Sequence, residues 1–458
     1  MNILLISTYE LGRQPFGLAS PAAWLAETGA AVRCLDLSVE PLDAGAVRQA
    51  DLIGFYLPMH MGTRMALPII QQARQLNPAA HLCCFGLYAP VNEPFLRRLG
   101  VQTILGGEFE SGLVSLAQRI SESAARPAAN GSQPEPVISL ARQEFRVPNR
   151  AGLPPLQNYA HLAVEDGRKL TVGYTEASRG CKHLCRHCPI VPVYGGRFRV
   201  VPRATVLADI RQQVAAGAKH ITFGDPDFFN GPGHAIPLVE ALPAEFPGLT
   251  YDVTIKVEHL ARHANLLPTL KATGCLFITT AVESFEPEIL AIFDKQHSPA
   301  EFELAVRRCR ELELHLSPTF VAFTPWTSLA GYRRFLEEIV RLELVDQISP
   351  IQAAIRLLIP PGSKLLELPE TQAAIGPLDE AKLSYTWRSP DRRLDALQAD
   401  LEVLVQRCAG QKVPRRETFR RIWERAFAGV GDAAGQTPFP NLPPASRFVP
   451  YLTEPWYC

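Results

Sequence analysis

Leu170-Thr171-Val172-Gly173-Tyr174-Thr175-Glu176-Ala177-Ser178 leads directly into Arg179-Gly180-Cys181-Lys182-His183-Leu184-Cys185-Arg186-His187-Cys188-Pro189. An apolar, strand-like stretch thus feeds three cysteines in the spacing C-x3-C-x2-C. Cysteine thiolates are the usual ligands of iron–sulfur clusters. A four-iron, four-sulfur cube normally takes four protein ligands. Three closely spaced thiolates therefore leave one iron open to a substrate or cofactor. Zinc is the alternative: structural zinc takes four N/S ligands, and His183 or His187 could complete such a set. Disulfides are disfavoured. The other cysteines, Cys34, Cys83, Cys84, Cys275, Cys309, Cys408 and Cys458, are scattered as in a reducing compartment. Most of them sit in apolar runs and read as small core residues.

The chain has 458 residues, enough for roughly two or three domains. Its hydrophobic content of 47% and charged content of 20% describe an ordinary soluble globular protein. The formal net charge is zero, which argues against an electrostatic nucleic-acid surface. No apolar run is long enough to span a bilayer. The N-terminus opens into a strand, not a basic leader with an apolar core, so the expected location is cytoplasmic.

Upstream, residues 1–122 alternate strands and helices. MNILLIST is a strand-length apolar run, and PFGLASPAAWLAETGA follows as a helix with Leu18, Ala22, Leu25 and Ala26 on one face and Gly29 at its end. AVRCLDLS, DLIGFYL, HLCCFGLYA and VQTILGG read as further strands, with LPIIQQARQL and FESGLVSLAQRI as helices. This alternation predicts an α/β, doubly wound parallel sheet whose ligands bind at the C-terminal strand ends. Residues 123–165, rich in Pro, Ala and Ser, read as a linker.

Strand–helix alternation resumes over residues 166–376. After the strand ahead of the cysteines come HITFGDPDFF, TYDVTIKVEHL, CLFITTAVESF, LHLSPTFVAFTPW and QISPIQAAIRLLIP, with helices between them. Six such units predict a partial (β/α)6 barrel, where chemistry sits at the C-terminal strand ends. Asp225-Pro226-Asp227, Lys256 and Glu258, Glu283-Ser284, Thr324-Pro325-Trp326, and Gln352 and Arg356 occupy such positions. His183, Arg186 and His187 either tune the cluster or face solvent. Residues 377–458 look helical, with Leu397, Leu401, Leu404 and Val405 on a packing face. FPNLPPASRFVPYLTEPWYC reads as irregular.

The cysteine spacing after a strand resembles the cluster loop of radical S-adenosylmethionine (SAM) enzymes. That resemblance implies a [4Fe-4S] cluster on Cys181, Cys185 and Cys188, whose open iron chelates SAM and cleaves it reductively to a 5′-deoxyadenosyl radical. It also implies that Asp225, Glu283 and Ser284 contact SAM, and that a flavodoxin or ferredoxin supplies the electron. The upstream domain resembles a cobalamin-binding domain. Gly106-Gly107-Glu108-Phe109-Glu110 looks like its G-E-x-E turn, and Gly86-Leu87-Tyr88-Ala89 like its small-residue loop. Cobalamin contacts are thereby implied for Gly86, Gly107 and Glu108. The D-x-H-x-x-G motif that gives cobalt a histidine is absent; Leu57-Pro58-Met59-His60 could lie near the lower cobalt face.

FGDPDFFN, TIKVEH, AVES, PTFVAFTPW, IQAAIRLLIPPGS and LTEPWYC together resemble a narrower group, the radical SAM proteins and selenoproteins named for a Cys-Sec-Ala-Glu-Pro or Cys-Cys-Ala-Glu-Pro tail. This resemblance implies that the natural product continues past Cys458 through a selenocysteine codon. The leading expectation is a cobalamin-dependent radical SAM enzyme that C-methylates or otherwise modifies a substrate whose identity the residues do not give. One alternative is cobalamin-independent sulfur or selenium insertion. Methylthiotransferases, however, carry a second cysteine triplet, and here Cys83 and Cys84 are adjacent on one strand and point to opposite faces. The other alternative is an iron–sulfur redox sensor.

Overall fold

A computed structural model describes residues 1–125, 134–165, 167–428, 438–442 and 448–454. The first sheet is parallel throughout. It contains β1 (Asn2–Ser7), β2 (Ala31–Asp36), β3 (Leu52–Tyr56), β4 (His81–Phe85), β5 (Thr103–Gly107) and β6 (Ile138–Ser139), in the spatial order 2-1-3-4-5-6. Both faces are covered by helices, so the strands are apolar on both sides. Leu4, Ile6, Ile53 and Phe55 pack on one face; Ile3, Leu5, Leu52 and Phe85 pack on the other. The helix Phe16–Ala26 buries Leu18, Ala22 and Leu25 as its periodicity predicts, whereas Ala26 is exposed. Its first two turns are buried all round, because their outer side meets the second domain: Phe16 lies edge-on to Tyr174, with ring centroids 6.1 Å apart. The strand order reverses between β1 and β3, the switch point at which sheets of this kind open a crevice.

The second sheet begins with β7 (His161–Ala163), antiparallel to β8 (Lys169–Thr175). β9 (Ser178–Gly180) and β10 (Phe198–Val200) pair as a small antiparallel ribbon around the cysteine loop. β11 (His220–Phe223), β12 (Thr250–Thr254), β13 (Cys275–Glu283) and β14 (His315–Phe320) continue parallel to β8, in the order 14-13-12-11-8-7. The result is a curled half-barrel with its helices outside, closed over one large core.

The sixth strand expected over QISPIQAAIRLLIP does not form. Pro350–Ala353 make one turn of 3-10 helix, and only Phe323 and Arg356 pair, in a single parallel bridge. Phe323 N donates to Ile355 O at 3.0 Å and Leu357 N to Phe323 O at 2.8 Å. Pro350 and Pro360 lack the N–H that a longer ladder would need at either end. The half-barrel therefore has five parallel strands and one bridge in the sixth position.

β15 (Ile375–Asp379) and β16 (Ser384–Trp387) form a hairpin. The helices Arg392–Gly410 and Arg415–Ala426 then pack Leu394, Leu401, Val405, Phe419, Ile422 and Trp423 into the barrel core. Leu397 and Leu404 of the expected packing face are only partly buried. The proline-rich stretch, expected to be irregular, contributes β17 (Tyr451–Leu452), which pairs antiparallel with β7. Cys458 lies outside the described residues. Among the described residues no helix is long and apolar enough to cross a membrane.

Candidate active site

Gly180 sets the start of the cysteine loop. Its φ is +70°, and a Cβ there would lie 2.3 Å from Arg197 O and 2.5 Å from the Tyr194 ring. Only glycine combines that conformation with that approach. The chain then turns through Cys181, Cys185 and Cys188, where Cys188 N donates to Cys185 O at 3.1 Å. Burial raises the Cys181 and Cys188 thiols, with the neighbouring thiols adding to the rise, and none of the three cysteines is in a disulfide. Burial pushes the Cys188 thiol up to about 12, so these sulfurs need a positive partner to ionise. Two groups from the barrel approach them. Asn230 Oδ1 lies 3.9 Å from Cys181 Sγ, and Lys256 Nζ lies 3.7 Å from Cys185 Sγ. Lys256 and the unpartnered amide Nδ2 of Asn230 are donors of the kind that tune cluster sulfurs.

The residue before Gly180 joins the two sheets. Arg179 Nη2 lies 2.7 Å from Glu110 Oε1, Nε lies 2.8 Å from Glu176 Oε2, and Nη1 lies 3.4 Å from Glu108 Oε2. The rings of Phe16, Phe109 and Phe145 surround the guanidinium. Three carboxylates meet one cation here, and they divide. Burial would raise Glu110, but Arg179 and hydrogen bonds from Ser20 and Gln143 hold it below the usual range. Glu108 is pushed by burial up to about 7, with Arg179 opposing the rise. Tyr194, six residues past the last cysteine, donates to Gly107 O at 3.3 Å and packs into the core of the first sheet. The C-terminal edge of that sheet therefore abuts the cysteine loop.

Inside the barrel mouth, Glu283 ends β13 with φ +70°, in the left-handed region that non-glycine residues rarely adopt. Its Oε1 accepts from His187 Nε2 at 3.1 Å and from Lys295 Nζ at 3.3 Å. Burial opposes its ionisation, but Lys295 and His187 win and hold the carboxyl at about 2. Beside them is His297, with neither ring nitrogen partnered. Burial, then Lys295 and Lys256, lower it to about 4. Asp227 accepts from Phe229 N at 3.2 Å and from Lys256 N at 3.4 Å through Oδ1, leaving Oδ2 toward His183 and His259.

Other expected residues have structural partners. Asp225 accepts from Ala177 N at 2.9 Å and from the Ser178 hydroxyl, fixing the turn into the cysteine loop, and burial pushes it up to about 7. Ser284 Oγ accepts from Glu286 N at 3.0 Å. Gly86 has φ +107° and abuts Leu57 O, while the space at Gly107 faces Ser139 O. His60 Nε2 pairs with Lys382 O at 2.6 Å. Lys295 and His297 were not legible as site residues, since they lie in a loop with no motif spacing. Cys83 and Cys84 enter cores on opposite faces of β4, and Cys34 joins Cys83; these three form no second cluster triplet.

Residues 175–325 match the family model of the radical SAM superfamily. The chain carries a radical SAM domain. The matched span holds all three loop cysteines and the C-terminal ends of β8 and of β11 through β14. A domain of this kind takes a four-iron, four-sulfur cluster and SAM. The thiol trio, with Asn230 and Lys256 against it, fits such a cluster. The chain is similar to hopanoid C-3 methylase of Methylococcus capsulatus, 24% identical over 337 residues, covering 70% of this chain and 64% of the relative. It thus spans less than two thirds of that relative's length.

Solved structures share the fold of this chain. The radical SAM methyltransferase TsrM from Kitasatospora setae, with tryptophan substrate and a SAM analogue bound, gives a TM-score of 0.67 at 18% identity over 88% of each chain. The cobalamin-dependent SAM radical enzyme OxsB, with aqua-cobalamin and SAM bound, gives 0.69 at 15% identity over 91% of this chain and 70% of that one.

Proposed function

We propose that this protein is a cobalamin-dependent radical SAM enzyme that methylates, or otherwise modifies by a radical route, an unactivated carbon of its substrate. The observation that carries the reading is the junction at Arg179. The three-thiol loop at the mouth of the half-barrel meets the C-terminal edge of the parallel sheet, where doubly wound folds bind ligands. Cluster and SAM supply the adenosyl radical, and cobalamin supplies a methyl group. The protein supplies position and water exclusion.

In this proposal Cys181, Cys185 and Cys188 hold the cluster, and Lys256 and Asn230 adjust its charge. Lys256, Lys295 and His297 supply donors for the SAM carboxylate, and Glu283 accepts from its ribose or amino group. Buried atoms without partners at or just past the strand ends of the first sheet, Ser7 Oγ, His60 Nδ1 and Glu108 Oε1, fit the amide-rich rim of a corrin. Gly86 and Gly107 shape that edge. A flavodoxin or ferredoxin is the electron source. Kinship with the Cys-Sec-Ala-Glu-Pro-tail proteins belongs to the same proposal and rests on the barrel strings and the terminal LTEPWYC.

The test is anaerobic incubation of cobalamin-loaded protein with a strong reductant and SAM labelled on its methyl group. Reductive formation of 5′-deoxyadenosine supports the radical reading, and label on protein-bound cobalamin supports the methyl route. Cluster-loaded protein that leaves SAM intact under these conditions argues for the redox-sensor alternative.

A further inference from the structure

We propose that His183, Asp227 and His259 form a second metal site, for one divalent transition-metal ion, beside the cluster loop. This goes beyond the radical SAM reading, because the cluster would use different residues and different donor atoms.

The three side chains come from three elements. His183 sits inside the cysteine loop, Asp227 follows β11, and His259 lies on the helix Val257–Arg262. One ligand atom from each lies within 4.8 Å of the others. Asp227 Oδ2 is 2.7 Å from His259 Nδ1 and 3.5 Å from His183 Nε2. Despite that proximity, none of these three atoms makes an aligned hydrogen bond, and all three are buried. Asp227 is fully buried, and the imidazoles are 13% and 8% exposed. Asp227 Oδ2 and His259 Nδ1 stand at ion-pair distance without a hydrogen bond of good geometry, and one cation shared by all three atoms would satisfy them together.

The surroundings are those of a metal ligand set. The other oxygen of Asp227 is fixed by two backbone N–H groups, from Phe229 and Lys256, so Oδ2 is aimed. The second nitrogen of His183, Nδ1, faces Glu258 Oε2 at 3.5 Å, at ion-pair distance and without a hydrogen bond; a carboxylate in that place is the partner type that orients a metal-bound imidazole. Lys256 Nζ, 3.6 Å from the same Glu258 oxygen, balances that second carboxylate. Two imidazoles and one carboxylate suit zinc and its neighbours, not calcium or magnesium. Bond lengths of about 2.0–2.2 Å set tetrahedral ligand atoms about 3.4 Å apart; His183 Nε2 already stands 3.5 Å from Asp227 Oδ2, and His259 Nδ1 would move out from its 2.7 Å to admit the ion. Three protein ligands leave a tetrahedral ion one position, open to water or to an oxygen of the substrate.

The experiment uses the full chain carrying its cluster, with zinc ion as the probe. After zinc loading and desalting, zinc, iron and sulfide are counted per chain for the wild type, Asp227→Asn and His259→Gln. One zinc is expected on the wild type, with at least a tenfold loss of affinity in each variant and unchanged iron and sulfide. Zinc-edge X-ray absorption on the wild type alone is expected to show nitrogen and oxygen neighbours, independent of how the variants fold. No zinc retained by cluster-loaded wild type, zinc in both variants equal to that of the wild type, or sulfur neighbours at about 2.3 Å would overturn the site. Loss of iron in all samples would instead count against the cluster reading.

Discussion

Arg179 Nη2 lies 2.7 Å from Glu110 Oε1, a buried ion pair that ties the residue two before the first loop cysteine to the helix after the last long strand of the other sheet. Glu110 is completely buried and Arg179 nearly so. Removing one partner of such a pair leaves an uncompensated charge and costs about 3–5 kcal/mol. Arg179→Met is therefore expected to lower the thermal midpoint sharply or to split unfolding into two transitions, one for each sheet. Calorimetry distinguishes these from an unchanged single transition, which would mean that the pair does not hold the domains.

The same cluster gives a pH dependence with a definite sign. Glu108 keeps its proton up to about pH 7 in the folded state, whereas an unfolded carboxyl loses it near pH 4.5. Between those values the folded state binds more protons, so this residue's contribution to stability falls as pH rises and is gone above about pH 7. Unfolding midpoints measured from pH 4.5 to 8 should show wild type losing ground to Glu108→Gln across that window. Parallel curves would place the titration elsewhere.

Gly180→Ala faces both a φ of +70° and a Cβ 2.3 Å from a backbone oxygen. The left-handed conformation alone costs about 1–2 kcal/mol. Gly195 has φ +53° and open space, with nothing within 4 Å of where a Cβ would stand, so alanine there meets only that conformational cost. Gly180→Ala should therefore lose cluster iron while Gly195→Ala retains it. Equal iron in the two variants would show that the turn tolerates displacement.

Glu283 and Asp225 should separate. Glu283→Gln weakens the hold on Lys295 and His187 and removes an ionised acceptor. Losing one charge-assisted hydrogen bond costs about 1.5–3 kcal/mol, roughly tenfold to a hundredfold in SAM affinity. Asp225→Asn disturbs the turn at Ala177 and Ser178, so its effect should appear as lower stability and poorer cluster incorporation. Calorimetric titration with SAM, beside thermal melts, reads both. Normal SAM binding by Glu283→Gln would make that residue structural.

What the sequence disclosed and what it concealed follow from range. The cysteine loop was legible because its ligands fall within eight consecutive residues, and the two sheets because their apolar runs alternate with helices. The Arg179 junction was not, since Glu108 lies 71 residues upstream and no local pattern pairs them. IQAAIRLLIP has the length and hydropathy of a sixth strand, but the prolines at 350 and 360 confine its pairing to one bridge. His183, Asp227 and His259 each stand in a legible stretch, the cysteine loop or a strand end, yet only folding brings the three stretches to one point.

The central claim is that Cys181, Cys185 and Cys188 hold a four-iron cluster that binds SAM at its open iron. Electron paramagnetic resonance of the reduced, anaerobically reconstituted full chain, with and without SAM, tests it most directly. We expect a [4Fe-4S]+ signal that shifts when SAM is added and vanishes in the Cys181→Ala/Cys185→Ala/Cys188→Ala variant. A signal indifferent to SAM, or full iron and an unchanged signal in the triple variant, would contradict it.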